Sequence, residues 1–404
     1  MQNVFVKKPY TFVPPIQSDF VATWLVRLGL FRKSLKRDHG IINHECRNLD
    51  LLRESMKQGH GIMLTPNHPR TSDPVVMGFV ARETPCLFYA MASWHLFNQG
   101  AMRRLLLRIA GAFSVNREGL DRKAIDEAVN VLVEAKRPLL IFPEGTTSRT
   151  NDRLMSLMDG PSFIARTAAK KREAEGKKVV VHPVGLRYLF EGDLERSCHS
   201  VLSDIEQKLT WKPNTKMPLI DRVVKVGSAL LTLKELQYGI NTMEGQTIRQ
   251  RQTNLVNCLL HPLEEQWLGS KRSDGIAIRI KNLRMKIFPE MSKPETSEDE
   301  RRQRWQMLED TYLAQQVDCY PERYITEFRS NDRILETIEK FEEDLTDRCR
   351  VHRPMKVIID VDQAIEVSSK RERGATVDPL MQKIRERLEA KLGDLQKESR
   401  MYQA

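Results

Sequence analysis

His68 and Asp73 stand five positions apart in the stretch TPNHPRTSDP, residues 65–74. An imidazole and a carboxylate together can make a general base. The carboxylate accepts a hydrogen bond from one ring nitrogen and fixes the tautomer, leaving the other nitrogen to take a proton. No serine or cysteine nucleophile is needed if the substrate brings its own hydroxyl. In one continuous helix, at roughly 100° per residue, positions five apart point about 140° away from each other. Pro74 suggests another geometry, in which a helix starts there with Asp73 as N-cap. Residues 67–72 then form a loop that folds His68 back over the helix entrance. The alternative is an N-capping Asp beside an incidental surface His, because H-x4-D alone is a common pattern.

Three further stretches carry chemically able residues. LLIFPEGTTSR, residues 139–149, is an apolar run leading straight into Pro-Glu-Gly-Thr. The carboxyl end of a buried parallel strand is where open α/β sheets place ligands. Glu144 falls just outside that end, and Gly145 lets the backbone turn and a ligand approach. Thr146, Thr147 and Arg149, with Ser148, offer hydroxyl and cationic contacts to an anionic or polyhydroxyl substrate. GAFSVNRE, residues 111–118, delivers Arg117 to a similar edge, and VVVHPVGLRY, residues 179–188, contains Pro183. Taken singly, Glu144 reads as a solvated turn residue and Arg117 as a surface charge.

Strands and helices alternate around these stretches. Apolar runs at 61–64, 85–90, 112–115, 138–142 and 178–184 read as strands, with 223–226 as a last one. Helical periodicity covers 74–81, 96–109, 122–135 and 161–175. This alternation predicts an α/β fold, a mainly parallel central sheet covered by helices. Beyond about residue 240 the texture becomes charge-dense and helical, at 245–268 and 299–348, around a polar linker at 288–300. A strand at 355–361 and an amphipathic helix at 379–397 follow. The expected organisation is an N-terminal amphipathic helix region at 1–40, a catalytic domain at 41–240 and a mostly helical C-terminal region at 241–404. No internal repeat is evident.

The chain has a net charge of +11, with 40% apolar and 29% charged residues. Such a chain favours anionic partners. The basic residues are spread along it and no nucleic-acid-reading motif is present, so nucleic acid is not the expected partner. The six cysteines have neither CxxC nor zinc-ligand spacing, and read as reduced thiols in a cytosolic compartment. No apolar stretch approaches the roughly 20 residues that span a bilayer. Residues 16–37 place Phe20, Val21, Trp24, Leu25, Leu28 and Phe31 at helical spacing before a basic cluster. That pattern suits an anionic membrane surface; packing against the domain is the equal alternative.

In this order and at these intervals, H-x4-D, G-x5-R, F-P-E-G-T and apolar-x-P-V resemble the glycerolipid acyltransferases of the 1-acylglycerol-3-phosphate type, over roughly residues 40–230. The resemblance implies transfer of a fatty acyl group from acyl-CoA or acyl carrier protein to a lysophospholipid hydroxyl, with no metal and no resident cofactor. It implies His68 as general base and Asp73 as its partner. It places Arg117, Glu144, Gly145, Thr146, Thr147 and Arg149 around the acceptor, with Pro183 shaping the wall. Backbone N–H groups near Pro74 are the expected oxyanion donors. Two positions depart from the family pattern. Thr147 stands where an Arg is usual, with the Arg at 149, and Ser114 and Val115 replace a bulky pair. Another lipid or alcohol acceptor, or a non-catalytic lipid-binding protein of the same fold, are the alternatives. The implied location is cytoplasmic and membrane-peripheral; the oligomeric state is open.

Overall fold

The computed structural model describes residues 10–403, apart from 85, 118, 120, 242, 243, 292, 294, 322 and 371–377. Residues 1–9 of the expected N-terminal region and Pro85 of an expected strand lie outside the described residues. Eight strands form one sheet: β1 (Ile41–Arg47), β2 (Gly61–Pro66), β3 (Tyr89–Ser93), β4 (Ala112–Val115), β5 (Leu139–Leu140), β6 (Val179–Phe190), β7 (Met355–Val361) and β8 (Ile365–Glu366). Their order is β1-β7-β6-β2-β5-β3-β4, with β8 also on β6. All neighbours are parallel except β6 with β7 and β6 with β8. The sheet is therefore mainly parallel and helix-covered, as the alternation predicts.

Burial on both faces explains the strand sequences. Met63, Leu139, Val179 and Val181 pack with Ala128, Leu132, Ala165, Ala168, Ile384 and Leu388. These come from the helices Arg122–Glu134, Gly160–Glu173 and Pro379–Gln396. The neighbour of Val181 in β6, His182, meets Ser55 of the helix Leu49–Lys57 at 2.9 Å, because successive strand residues face opposite ways.

By chain contacts the molecule falls into two units, residues 193–350 with 400–403, and residues 10–192 with 351–399. The sequence reading placed its division at 240. β6 and β7 explain where the chain divides. Phe190 pairs with Met355, and Glu191 N–H donates to the Pro354 carbonyl at 3.0 Å. The helical unit is thus an insertion in the turn between two antiparallel neighbours. Loop-closure cost grows only slowly with length, so a hairpin tip tolerates such an insertion.

Several expected elements differ. Residues 223–226 are not a strand; they lie inside the helix Leu219–Gln237. Leu219, Ile220, Val223 and Val226 recur at helical spacing and are buried, and this outweighs the β-branched run. The strand expected at 85–90 begins at Tyr89, and the helix expected at 96–109 is a 3-10 turn, Trp94–Asn98, then Ala101–Ile109. The helix expected at 74–81 is two short ones, Asp73–Val76 and Gly78–Glu83. In the 288–300 linker, residues 288–291 close the helix Ile276–Met291 and Ser297 caps Glu298–Asp318. Residues 16–37 break at Gly29, whose φ of 64° ends Asp19–Leu28 and starts Leu30–His39.

The helical unit contains a repeat that sequence reading missed. Glu206, Glu235 and Glu264 stand 29 residues apart, and each receives the Nε and Nη2 of an arginine from the next helix. The arginines are Arg222, Arg251 and Arg279. Their Nη1 atoms meet His199, Ser228 and Asn257, again 29 apart. The Nη2 atoms of Arg222 and Arg251 also donate to Ser203 and Thr232. One buried fork thus locks each helix to its successor three times among the described residues, a nearest-neighbour architecture. Glu264→Ala strands the Arg279 guanidinium in the core, with an expected loss of about 3–5 kcal/mol. Asp299→Ala, which breaks an exposed pair with Arg302, is expected to do far less. Urea unfolding followed by far-ultraviolet circular dichroism compares them, and equal midpoints would deny the ladder its role.

Candidate active site

β2, β5, β3 and β4 are parallel neighbours, so their carboxyl ends share one edge of the sheet. The His68, Glu144 and Arg117 segments all leave from that edge. β2 ends at Pro66, and beyond it two amide side chains take its place along β6. Asn67 donates to the Leu186 carbonyl at 3.0 Å and accepts the Leu186 N–H at 2.7 Å. Asn151 does the same for Tyr188, at 2.9 Å in both directions. These two side chains satisfy the β6 backbone where the main chain of β2 has turned away into the His68 loop.

Asp73 is fully buried, and three donors converge on it. His68 Nδ1 lies 2.7 Å from Oδ2, Arg70 N–H donates to Oδ2 at 2.9 Å, and the Tyr188 hydroxyl donates to Oδ1. A buried carboxylate needs such donors in place of water. As an acceptor only, it requires the proton on His68 Nδ1 and puts the lone pair on Nε2. The imidazole also stacks on Phe142, with centroids 4.2 Å apart. Burial and the neighbouring Asp73 charge raise the Tyr188 hydroxyl well above its usual value, so it stays a donor.

Asp73 is not the N-cap. Ser72 holds that position, Asp73 is the first helical residue, and its carboxylate turns to the imidazole instead. The expected oxyanion donors near Pro74 are committed as well. Val75 and Val76 N–H both bond to the Ser72 carbonyl at 2.9 Å.

The Pro-Glu-Gly-Thr loop clasps the histidine through its backbone. Glu144 is buried, and its two oxygens accept His68 N–H at 2.6 Å and Met155 N–H at 2.8 Å. Ser148 N–H donates to the His68 carbonyl at 2.8 Å. Gly145 takes φ 67° at the turn, where a side chain would be strained, and its carbonyl receives Arg117 Nη1. Thr146, Thr147 and Arg149 are half-buried on the same loop. Pro183 is buried within β6 opposite Thr65, and its carbonyl accepts Asp362 N–H at 2.8 Å. Ser114, one of the departures from the family pattern, accepts Val13 N–H on its hydroxyl at 2.8 Å and ties the N-terminal segment to β4. Burial, then Arg117 and Arg103, hold the nearby His95 neutral, down to about 4.

Residues 45–187 match the family model described as Acyltransferase. A curated relative is the 1-acyl-sn-glycerol-3-phosphate acyltransferase of Streptococcus pneumoniae (strain ATCC BAA-255 / R6), 34% identical over 107 residues. The aligned part is 26% of this chain and 37% of the relative, so the chain spans little more than a third of that protein's length. Residues 45–187, about a third of the chain, are thus similar to an acyltransferase domain. The match stops one residue short of Tyr188, and the matched region also depends on chain beyond it. Arg385 of the Pro379–Gln396 helix donates to the Met155 carbonyl at 2.7 Å, on the loop that Glu144 holds.

Sequence reasoning missed Tyr188, Asn67, Asn151 and Phe142 as supports of the site, and read Ser148 as a substrate contact where it holds the His68 carbonyl. Tyr188 was the most legible, as a polar tip among Leu186, Leu189 and Phe190 of β6, where a buried hydroxyl must find a partner.

Burial raises the Glu144 carboxyl to about 7, against the opposing pull of its two backbone donors. A raised carboxyl contributes stability that is full below its unfolded value and is lost as pH climbs through the folded one. The stability advantage of wild type over Glu144→Gln is therefore expected to be largest near pH 5. It should shrink by roughly 3 kcal/mol by pH 8. Melting temperatures across that range measure it, and parallel curves would mean that Glu144 does not titrate there.

Proposed function

We propose that the protein is a membrane-peripheral O-acyltransferase. It moves a fatty acyl group from an acyl thioester, acyl-CoA or acyl carrier protein, to the hydroxyl of 1-acylglycerol-3-phosphate. The observation that carries this reading is the 2.7 Å bond from His68 Nδ1 to the buried Asp73, at the sheet edge that also holds the Pro-Glu-Gly-Thr loop. The match of residues 45–187 to the Acyltransferase family model and the activity named for the Streptococcus relative support it.

In this mechanism His68 Nε2 takes the acceptor hydroxyl proton as that oxygen attacks the thioester carbonyl. The tetrahedral intermediate collapses, the carbon–sulfur bond breaks, and the imidazolium returns its proton to the departing thiolate. Asp73 stabilises the imidazolium without taking a proton. Glu144 and Ser148 hold the His68 main chain, so their part is positioning. Arg117, Thr146, Thr147 and Arg149 are the acceptor-facing residues of this reading. Among the described residues no helix is long and apolar enough to cross a membrane. Attachment to lipid in this reading is through the exposed Phe20, Trp24 and Leu28 of Asp19–Leu28.

Thr147, where the family usually has Arg, keeps a second reading in view, a lipid acceptor without the phosphate. With oleoyl-CoA and lysophosphatidic acid, free CoA is expected to appear, and His68→Ala to lower kcat/KM by roughly 10²–10⁴-fold. Unchanged release in that variant would remove His68 from the mechanism. A panel of lysophosphatidic acid, monoacylglycerol and lysophosphatidylcholine is expected to rank the first highest. Equal use of monoacylglycerol would move the assignment to the second reading.

A further inference from the structure

The helix Ala101–Ile109, AMRRLLLRI, buries none of its residues. Its apolar positions Met102, Leu105, Leu106 and Ile109 follow the i, i+3, i+4, i+7 pattern of a helix built to cover a core. At roughly 100° per residue they share one face about 100° wide. That face looks away from the protein. Met102 is 69% exposed, Leu105 45% and Leu106 49%. The helix is held instead by Leu107, which packs with Val13, Trp94, Phe97 and Ala112. Leu107 lies roughly 150° around the helix from the middle of the stripe. This is an amphipathic helix attached with its apolar stripe outward, bordered by Arg103 on one side and Arg108 on the other and carrying no acid.

Two bonds join the Arg108 end of this helix to the segment that precedes the other exposed apolar stripe. Ile16 N–H donates to the Arg108 carbonyl at 2.9 Å, and Arg108 Nε donates to the Pro14 carbonyl at 2.9 Å. Residues 14–16 lead directly into Asp19–Leu28, where Phe20 is 79% and Trp24 59% exposed. The Ala101–Ile109 helix also carries the chain from the carboxyl end of β3 back to the start of β4. Its first turn therefore stands at the edge that bears His68.

We propose that Ala101–Ile109 is a second interfacial anchor, which lays its Met102, Leu105 and Leu106 stripe into an anionic bilayer surface with Arg103 and Arg108 at the headgroups. Apolar side chains flanked by cations fit that surface on both counts. A second copy of the chain fits poorly, since an isologous contact would set arginines against arginines. Through its first turn the helix holds the His68 edge toward the lipid. That purpose rests on the acyl-transfer reading, whereas the surface itself does not.

The full chain is tested by flotation with vesicles of phosphatidylcholine, alone and mixed with phosphatidylglycerol. Leu105→Ser/Leu106→Ser is expected to weaken partition to the mixed vesicles about tenfold or more, with unchanged melting temperature. Arg103→Gln is expected to lose part of the preference for phosphatidylglycerol. If the leucine pair lowers the melting temperature, Met102→Ser in the first turn reads the same face and is expected to weaken partition too. Wild-type partition in the serine variants would overturn the proposal. So would a wild-type dimer that the serine variants disperse while vesicle binding stays intact. Partition is read without substrate, so its failure leaves the catalytic reading standing, and an inactive enzyme that still floats leaves the anchor standing.

Discussion

The candidate site depends on one buried negative charge. Asp73 is fully buried, and its three donors come from two distant pieces of chain: His68 and Arg70 on the loop after β2, and Tyr188 far along β6. An uncompensated carboxylate in that position would be costly. The demand for donors therefore fixes the imidazole tautomer, the path of the loop and the rotamer of the tyrosine together. Positioning a base through the needs of its partner is economical, because the same bonds that stabilise the fold orient the chemistry.

The loop from the neighbouring strand adds a second constraint of the same kind. Glu144 does not present its carboxylate outward; it closes on two backbone amides, one of them that of His68. Ser148 takes the His68 carbonyl. The histidine is thus held at its side chain by one loop and at its main chain by another. Arg117 reaches the same turn through the Gly145 carbonyl and draws the β4 segment in. Behind this, the return of the chain as β7, β8 and the Pro379–Gln396 helix completes the sheet and bonds the Met155 backbone.

The helical unit solves a different problem by repetition. Its charged composition looks like solvated surface, yet each helix hands a glutamate to the arginine of the next at a 29-residue interval. A buried ion pair is a weak source of stability against an apolar core, but breaking one is expensive. Forked arginines that need carboxylates in one orientation constrain which helix follows which, as a set of leucines would not.

The sequence by itself determined the strand-and-helix alternation, the mainly parallel sheet, and the closeness of His68 to Asp73. Those follow from local signals: apolar runs, proline at a helix entrance, and a pair only five residues apart. It also carried the family resemblance, through motifs whose order survives without any knowledge of folding. Only the tertiary structure decided the rest. That Glu144 grips backbone, that Tyr188 completes the carboxylate's shell, and that residues 351–399 rejoin the sheet are outcomes of long-range pairing. The outward stripe of Ala101–Ile109 is equally invisible in one dimension. Periodicity reveals that a helix has an apolar face, but which way that face turns depends on what the folded chain leaves beside it.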